Sequence, residues 1–589
     1  MVSDPTGGNE MKKIILSGVS MAALSLATAP LFAQATEPAA CNTVAGNCSI
    51  VDQNGDNNTA DVDQDGDDNV SDIDQDSLGA LADVTQDGDG NISNVTQLDA
   101  NASTGSVGLV GDPEAIVAQN GNSNDSVVNQ TIDANSGFNQ LAEVEQNNDG
   151  NVSQVDQTST GGGFSGTLRA FVTQNGTSNS TVSQLGFDGG KNIRADVNQT
   201  DSISNVQQIA SQSGNANPNV RVTVDQTGGA TSDVFQTATG DGADDVFADI
   251  DQDGISTSTV TQDALGLNDG GLSASVDQTG NGHDSDVTQS GTLQVATVDQ
   301  TSSDNASIVE QTGSTGNNNA DVNQDGTGGF ADIFQTGTSG DNTATITQEA
   351  TATAAVFGTS AQVFQTDATN SDADITQRGG SDNAASIAQG ENVPAFAPTI
   401  LGASNADADI TQEGSDNEAN VAQYGDLQNA QVNQTGTGNL VLTDQGGTSG
   451  ADNDVFIDQI GTNDFADVTQ NSSTNFANVD QAGTGLTNFA TIDQGLFGGG
   501  DANTASIDQS LGGNNSSTIT QNGLTAGGSN EAYSIQLGDD NVSIITQDGS
   551  SNYALVAQDD GSFSSITQNG TGNTATVQQG STVPVQPVF

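Results

Sequence analysis

Few residues of this chain could perform catalysis. His283 is the only histidine among 589 residues, and it stands at the asparagine position of a repeated unit that runs from Gln278 to Gln289. Serine and aspartate are so abundant that any catalytic triad drawn with His283 would be a chance match. We interpret His283 as a tolerated replacement for asparagine rather than a general base, and we predict no catalytic residue.

A secreted enzyme built on a β-helix is the enzymatic alternative, and the composition argues against it. A polysaccharide lyase or hydrolase would be expected to show aromatic and basic side chains for sugar binding, yet aromatic residues make up 4% of the chain and tryptophan is absent. Nucleic acid and anionic lipid are also poor partners, because both require clustered cations. Beyond the N-terminal region the basic residues are Arg169, Lys191, Arg194, Arg221 and Arg378.

Carboxylate oxygens, by contrast, are plentiful. Turns such as Asp65-Gly66-Asp67-Asp68 and Asp87-Gly88-Asp89 bring several potential calcium ligands together. No EF-hand spacing and no glycine-rich nonapeptide calcium repeat occurs, so solvated acidic turns are the favoured interpretation. We predict no cofactor, with weak and distributed calcium binding as the alternative.

The N-terminus has the order of a secretory signal peptide. Lys12 and Lys13 precede an apolar run that ends in the small-x-small sequence Ala33-Gln34-Ala35. We predict that residues 1–35 are a signal peptide, that the natural start is Met11, and that the mature chain is secreted to the outside or the surface of the cell. No later segment is apolar enough to span a bilayer.

The two cysteines, Cys41 and Cys48, frame a short loop just after this leader. In an oxidising compartment a local disulfide between them is the simplest interpretation. Attachment of a lipid at Cys41 is the alternative, although the preceding Glu37-Pro38-Ala39-Ala40 lacks the usual leucine and lies far past the apolar run.

His283 and the acidic turns belong to an eleven-residue repeat. Between Gln53 and Gln97 the pattern Q-x-G-x-x-N-x-[AS]-x-[VI]-x-Q recurs without a change of length, and only the third copy departs from it, with Ser77 and Ala80 at the Gly and Asn positions. Its glutamines are Gln53, Gln64, Gln75, Gln86 and Gln97. Such fixed spacing is a structural rule and matches no catalytic motif.

Each unit predicts one β-strand and one tight turn. Asn58, Ala60, Val62 and Gln64 lie two residues apart with variable polar residues between them, which is the period of a strand with one constrained face. Gly55 and its neighbours tolerate the positive φ of a turn. Asn69, Ile73 and Gln75 hold the same positions in the next unit.

Stacking of the units is what would stabilise such strands. Full burial of a valine contributes about 1.5 kcal/mol, whereas ordering each residue costs roughly 1–2 kcal/mol. Copies stacked in register, about 4.8 Å apart, would satisfy one another's backbone and amide groups. The same register would stack outward carboxylates, such as those of Asp61 and Asp72, on carboxylates of neighbouring strands. Each such pair of like charges would repel by roughly 0.9 kcal/mol in water.

The composition alone would also fit a disordered chain, with 32% apolar residues and a formal charge of −69. The persistent periodicity favours one long ordered array over disorder and over several ordinary domains. We predict a signal peptide at 1–35, an N-terminal segment at 36–48, a repeat block at 49–389, a loop or joint containing Pro394 and Pro398 at 390–405, a second repeat block at 406–579, and a tail at 580–589.

The signature resembles the curlin repeat of curli, the secreted bacterial amyloid fibres. The resemblance covers most of the chain after Cys48, and it implies an all-β fold in which two strands form one turn, of about 22 residues, of an elongated flattened β-solenoid. The chain departs from that family in its greater length, its acidity and its irregular inserts. The stacking roles that the resemblance implies fall on Gln53, Asn58 and Gln64, on Gln412, Asn417 and Gln423, and on Gln568, Asn573 and Gln579.

From this resemblance we predict a secreted structural protein that forms or joins extracellular fibres for adhesion and biofilm matrix. The implied partners are further copies, other curlin-like subunits and an outer-membrane export machinery. The alternative is a monomeric acidic β-solenoid adhesin, stabilised by calcium. Fibre growth requires open strand edges at both ends, whereas a monomer would cover them, and neither end shows a convincing helical or charged cap.

Overall fold

The computed structural model describes most of the chain after the leader. The described residues are 35, 38–41, 46–99, 112–132, 139–160, 167–187, 192–211, 219–241, 245–267, 271–313, 316–337, 340–349, 358–390, 403–446, 452–483, 487–495, 502–522 and 528–580. Within these ranges the regular elements are β-strands and there is no α-helix. The predicted signal peptide apart from Ala35, Pro394, Pro398 and all of the tail after Gly580 lie outside the described residues.

Successive strands alternate between two parallel sheets, so that the chain coils as a β-solenoid. Each sheet has 21 strands. The first sheet contains Cys48–Asn54, Val70–Asp76, Ile92–Asp99, Asp125–Ile132, Val152–Thr160, Asn179–Phe187, Ile203–Ser211, Thr231–Asp241, Thr257–Leu267, Asp284–Gly291, Ala306–Gly313, Phe330–Gly337, Ser360–Thr366, Ala384–Gly390, Glu418–Gln423, Leu440–Gln445, Phe465–Gln470, Phe489–Gln494, Ser516–Asn522, Val542–Ser550 and Phe563–Thr571.

The second sheet faces the first and contains the intervening strands. They are Thr59–Asp65, Leu81–Asp87, Glu114–Asn120, Asn139–Asn147, Thr167–Asn175, Ile193–Thr200, Val220–Thr227, Val246–Asp253, Leu272–Asn281, Gln294–Ser303, Asn318–Thr327, Thr343–Glu349, Asp372–Arg378, Asp407–Ser415, Asn429–Thr437, Asp454–Thr462, Phe476–Gln481, Thr504–Leu511, Glu531–Leu537, Tyr553–Asp559 and Thr574–Gln579. Two short strands, Ala403–Ser404 and Gly425–Asp426, form a separate pair.

One strand from each sheet makes a rung, and residues at the same register position on successive strands of a sheet make a column. The inward columns meet between the sheets in one apolar core, which runs from Ile73 to Ile566. Ala82 and Val84, for example, are fully buried, whereas Asp83 between them is exposed. The predicted all-β solenoid and its strand period of two are therefore confirmed.

The turns have the predicted backbone geometry. Gly55 has φ of 111° and Asn57 has φ of 62°. Gly66 has φ of 109°, and a Cβ atom added there would lie 2.1 Å from the carbonyl oxygen of Gly88 in the turn stacked on it. The glycine position of the repeat thus permits both a left-handed backbone and close stacking of turns.

The rungs are longer than the predicted repeat over much of the chain. Gln53 and Gln75 are 22 residues apart, but between Cys48 and Gln579 a turn of the solenoid averages about 25 residues. Part of the added length extends the strands instead of the turns. A second apolar cluster forms beside the main core: Leu168, Ile193, Ala210, Val220, Ala238, Val246, Ala264 and Leu272.

The region predicted as a loop or joint does not interrupt the sheets. Strand Ala384–Gly390 pairs directly with Glu418–Gln423, and Asp372–Arg378 pairs with Asp407–Ser415. Register is kept across the insertion, since Gln389 opposes Gln423. The two repeat blocks consequently share one continuous stack in the described structure.

The segment before the first strand lies along the side of the solenoid. The backbone N–H of Ala35 donates a 2.8 Å hydrogen bond to Oδ1 of Asp125, on the fourth strand of the first sheet. Cys41 and Cys48 form a disulfide. Val70 and Asp125 face outward by register yet are buried. Among the described residues no helix is long and apolar enough to cross a membrane.

Candidate functional site

The inward glutamines of the first sheet form an unbroken hydrogen-bonded ladder. From Gln53 to Gln568, each side-chain Nε2 donates to Oε1 of the glutamine on the next strand, at 2.6–3.1 Å. Each amide is satisfied mainly by an identical neighbour. The ladder therefore depends on stacking and would be lost in an isolated unit.

The second sheet carries an equivalent glutamine column from Gln64 to Gln579. Gln64 donates to Gln86 at 2.7 Å, Gln412 to Gln434 at 2.8 Å, and Gln558 to Gln579 at 3.0 Å. These amides also tie the two sheets together. Nε2 of Gln75, in the first sheet, donates to the backbone oxygen of Thr59 in the second at 3.0 Å.

Asparagine ladders hold the turns in register. Oδ1 of Asn58 accepts the backbone N–H of Ala80 at 3.0 Å, while its Nδ2 donates to the oxygen of Asn54 at 3.1 Å. Asn69 and Asn417 accept the corresponding N–H of the next rung at 3.0 and 3.1 Å. Each asparagine thus closes its own turn and caps the next strand.

The predicted stacking residues differ in burial according to their rung. Those on interior rungs are fully enclosed: Asn69, Ile73, Gln75, Gln412, Asn417 and Gln423. Those on the first described rung are half-buried or exposed: Gln53, Asn58, Ala60, Val62 and Gln64. On the last rung Gln568 is buried, whereas Asn573 and Gln579 are half-buried.

The two end rungs present matching residues. On the second sheet, Ala60 and Val62 lie partly buried at one end of the apolar core, and Ala575 and Val577 lie partly buried at the other. The amides of Gln64 and Gln579 continue the same column. Because parallel stacking repeats Ala on Ala, Val on Val and Gln on Gln, the two ends are complementary surfaces.

Outward carboxylates stack only in places. Asp61 opposes Asp83 as predicted, but Asp72 has Ile50 and Asn94 as its neighbours. Carboxylates crowd one another at other positions, where the register pairs strands that are 22 to 35 residues apart in sequence. Burial first, and then the carboxylates of Asp407, Asp374 and Asp372, raise the pKa of Asp409 to about 6.

The acidic turns use their oxygens within the turn stack. Oδ1 of Asp89 accepts the backbone N–H of Asp67 at 2.7 Å, and Oδ1 of Asp149 accepts that of Asn122 at 2.6 Å. Among the described residues no group of three or more histidine, cysteine or carboxylate side chains lies close enough together to hold a metal ion.

His283 makes the contact that asparagine makes in other units. Its ring is buried, and Nε2 lies 3.2 Å from the backbone oxygen of Thr279, four residues earlier. Burial lowers the pKa of the imidazole. The ring thus fills an asparagine position in a turn.

Comparison with known families agrees with this geometry. The family model described as curlin-associated repeat matches residues 50–76 and 403–436. Two segments of the chain are thus similar to the curlin-associated repeat. The resemblance predicted from Gln53–Gln64 and Gln412–Gln423 is confirmed at both segments, while Gln568–Gln579 lies outside the matched residues. No curated protein matches the chain. The β-solenoid fold and the repeat match fit a curlin-like structural protein.

Proposed function

We propose that this protein is a secreted fibre subunit that assembles end to end and serves adhesion and biofilm matrix. The observation that carries the proposal is the state of the end rungs among the described residues, where Val62 and Val577 are only half-buried at the two ends of the core. An open strand edge with an apolar core is a template for another strand. The role is structural and not catalytic.

Secretion rests on the order of the leader sequence, and the partners follow from the curlin repeats. Further copies or other curlin-like subunits would join at the end rungs, and an outer-membrane export machinery would deliver the chain. Mass spectrometry of extracellular material tests this directly. A mature N-terminus at Thr36 supports it, and a retained Met1 or Met11 contradicts it.

Electron microscopy of the purified mature chain, with thioflavin binding, tests the assembly itself. We expect unbranched fibres much longer than one chain, whose 21 rungs span about 100 Å at strand spacing. Particles that stay at this length at every concentration would contradict fibre growth and favour the monomeric acidic adhesin. That alternative is supported by the number of rungs, since one chain already forms an extended rod.

A further inference from the structure

Three arginines that are far apart in sequence stand in one outward column of the second sheet. Arg169 opposes Arg194, and Arg194 opposes Arg221, on three consecutive strands. Only four basic residues lie in the described part of the chain, the fourth being Arg378. A strongly acidic protein therefore collects most of its described positive charge at one place.

This Arg column is only partly neutralised by its own chain. Asp196 lies 2.8 Å from Nε of Arg194 and 3.9 Å from the guanidinium of Arg221, and both arginine side chains are about half exposed, at 45% and 49%. Among the described residues Arg169 has no carboxylate within salt-bridge distance. Arg194 also lies over the ring of Phe171, 5.5 Å from its centroid, which holds the guanidinium in a defined position.

The same sheet carries a separate column of carboxylates, which begins on the strand of Arg221, four residues after that arginine, and continues on the following strands. Asp225, Asp251, Asp277 and Asp299 oppose one another on four consecutive strands. Partial burial, and then the neighbouring carboxylates, raise the pKa of Asp251 and of Asp277. Each of the two columns therefore repels itself within its own chain.

We propose that the Arg column docks against the Asp column of a second copy lying alongside. Both columns have one charge per rung, so Arg169, Arg194 and Arg221 can face Asp251, Asp277 and Asp299 of the neighbour pair by pair when the two axes are parallel and staggered. Charge complementarity of equal period is the argument for this partner.

The reach of the side chains fits such a contact. Sheets that pack face to face lie about 10 Å apart, a gap that an extended arginine and an aspartate can bridge. Guanidinium and carboxylate groups form directional, charge-assisted pairs. Phe247 continues the Arg column on the next strand and is 36% exposed, so the same contact would cover an apolar ring.

The contact joins the sides of two solenoids and makes no use of the end rungs. Loss of this side-by-side contact can therefore be distinguished from loss of fibre growth at the end rungs. Fibres that elongate normally but stay one solenoid wide would overturn the side-by-side contact and leave the proposed function intact.

Charge reversal in two separate variants tests the proposal. One variant carries Arg169→Glu, Arg194→Glu and Arg221→Glu; the other carries Asp251→Lys, Asp277→Lys and Asp299→Lys. Lateral pairing is measured as fibre width by electron microscopy and as sedimentation of the end-blocked Val62→Lys chain. Each variant alone should pair about tenfold more weakly than the wild type, since three exposed ion pairs contribute on that order. An equimolar mixture of the two should restore pairing.

The control is Arg378→Glu, because Arg378 lies on the surface outside the Arg column and pairs with Glu349 at 3.2 Å. It should leave pairing unchanged. The milder set Arg169→Gln, Arg194→Gln and Arg221→Gln guards against misfolding, with circular dichroism as the check. Unchanged width in the folded reversal variants, or a mixture that fails to restore pairing, overturns the proposal.

A soluble polyanion is the competing occupant of the Arg column. Pairing is therefore measured in purified protein, with and without added polyuronate or DNA. Pairing that requires the added polymer, and responds to the Arg variant but not to the Asp variant, overturns the second copy as partner.

Discussion

Interior rungs and end rungs contain the same residues in the same columns but in different environments. Gln75 is fully buried, whereas Gln53, one rung away in the same column, is exposed. Val84 is fully buried and Val62 only half-buried. The two rungs differ in their neighbours, since an end rung has a strand on one side only. Among the described residues, the end rungs therefore leave half-exposed the core positions that interior rungs enclose.

The largest expected effect is that of a charge placed on an interior rung. Val298→Lys would bury an unpaired ammonium between two rungs, and we expect a loss of stability of several kcal/mol. The same change at Val62 should cost far less, because that side chain borders solvent. Amide exchange across the strands on either side measures the difference. Equal loss of protection in both variants would contradict the distinction between interior and end.

End-rung charges should instead act on assembly. Val62→Lys and Val577→Lys should leave the β-structure of the monomer unchanged but slow fibre growth at least about tenfold, since joining two ends would bury the charge. Thr59→Lys and Thr576→Lys, on the outward side of the same strands, are the matched controls and should assemble like wild type. Thioflavin kinetics with circular dichroism report both properties, and equal slowing in the controls would show that the faces are wrongly assigned.

A smaller effect is expected from crowded outward carboxylates such as Asp409, which opposes Asp374 on the preceding strand and has Asp407 two residues earlier on its own strand. The pKa of Asp409 is about 6 in the folded chain against an ordinary 3.8, so the folded state binds the proton more tightly. Stability should therefore rise as pH falls from above 6 towards 3.8. Asp409→Asn should stabilise the chain by about 1 kcal/mol at neutral pH, a value reduced by solvent screening.

The measurement for Asp409 is denaturant unfolding of the wild type and the Asn variant across this pH range. The two curves should converge at the acid end, where the carboxyl is protonated. Asp61→Asn, on an end rung with an opposing strand on one side only, is the control and should change the stability at neutral pH less. A gain of stability for Asp409→Asn that persists unchanged in acid would contradict the charge explanation.

The smallest effect is expected from calcium. Turn oxygens such as those of Asp89 and Asp149 already accept backbone N–H groups of the adjacent turn, so calcium should accelerate assembly no more than magnesium at equal concentration. Both should act by screening charge. A specific calcium effect, abolished by Asp67→Asn and Asp68→Asn, would restore the calcium site as an explanation.

Much of the candidate site follows from local pattern. The period-two alternation around Val62 fixes which face is inward, and Gly55 marks the turn, so strands, turns and ladders are predictable from one unit. The Arg column is not predictable in this way. Arg169, Arg194 and Arg221 are separated by inserts of unequal length, and only the observed register aligns them.

The sequence by itself determines the repeat, the inward face and the identity of the residues that stack, because these depend on side chains two residues apart. The tertiary structure decides which distant residues become neighbours. A second apolar cluster joins Leu168 and its column in the second sheet to alanines two residues past the glutamines of the first, such as Ala210. The long insertion before Ala403 leaves the register of Gln377 and Gln412 intact. Both outcomes depend on how unequal turns are accommodated at each rung, and no single unit contains that information.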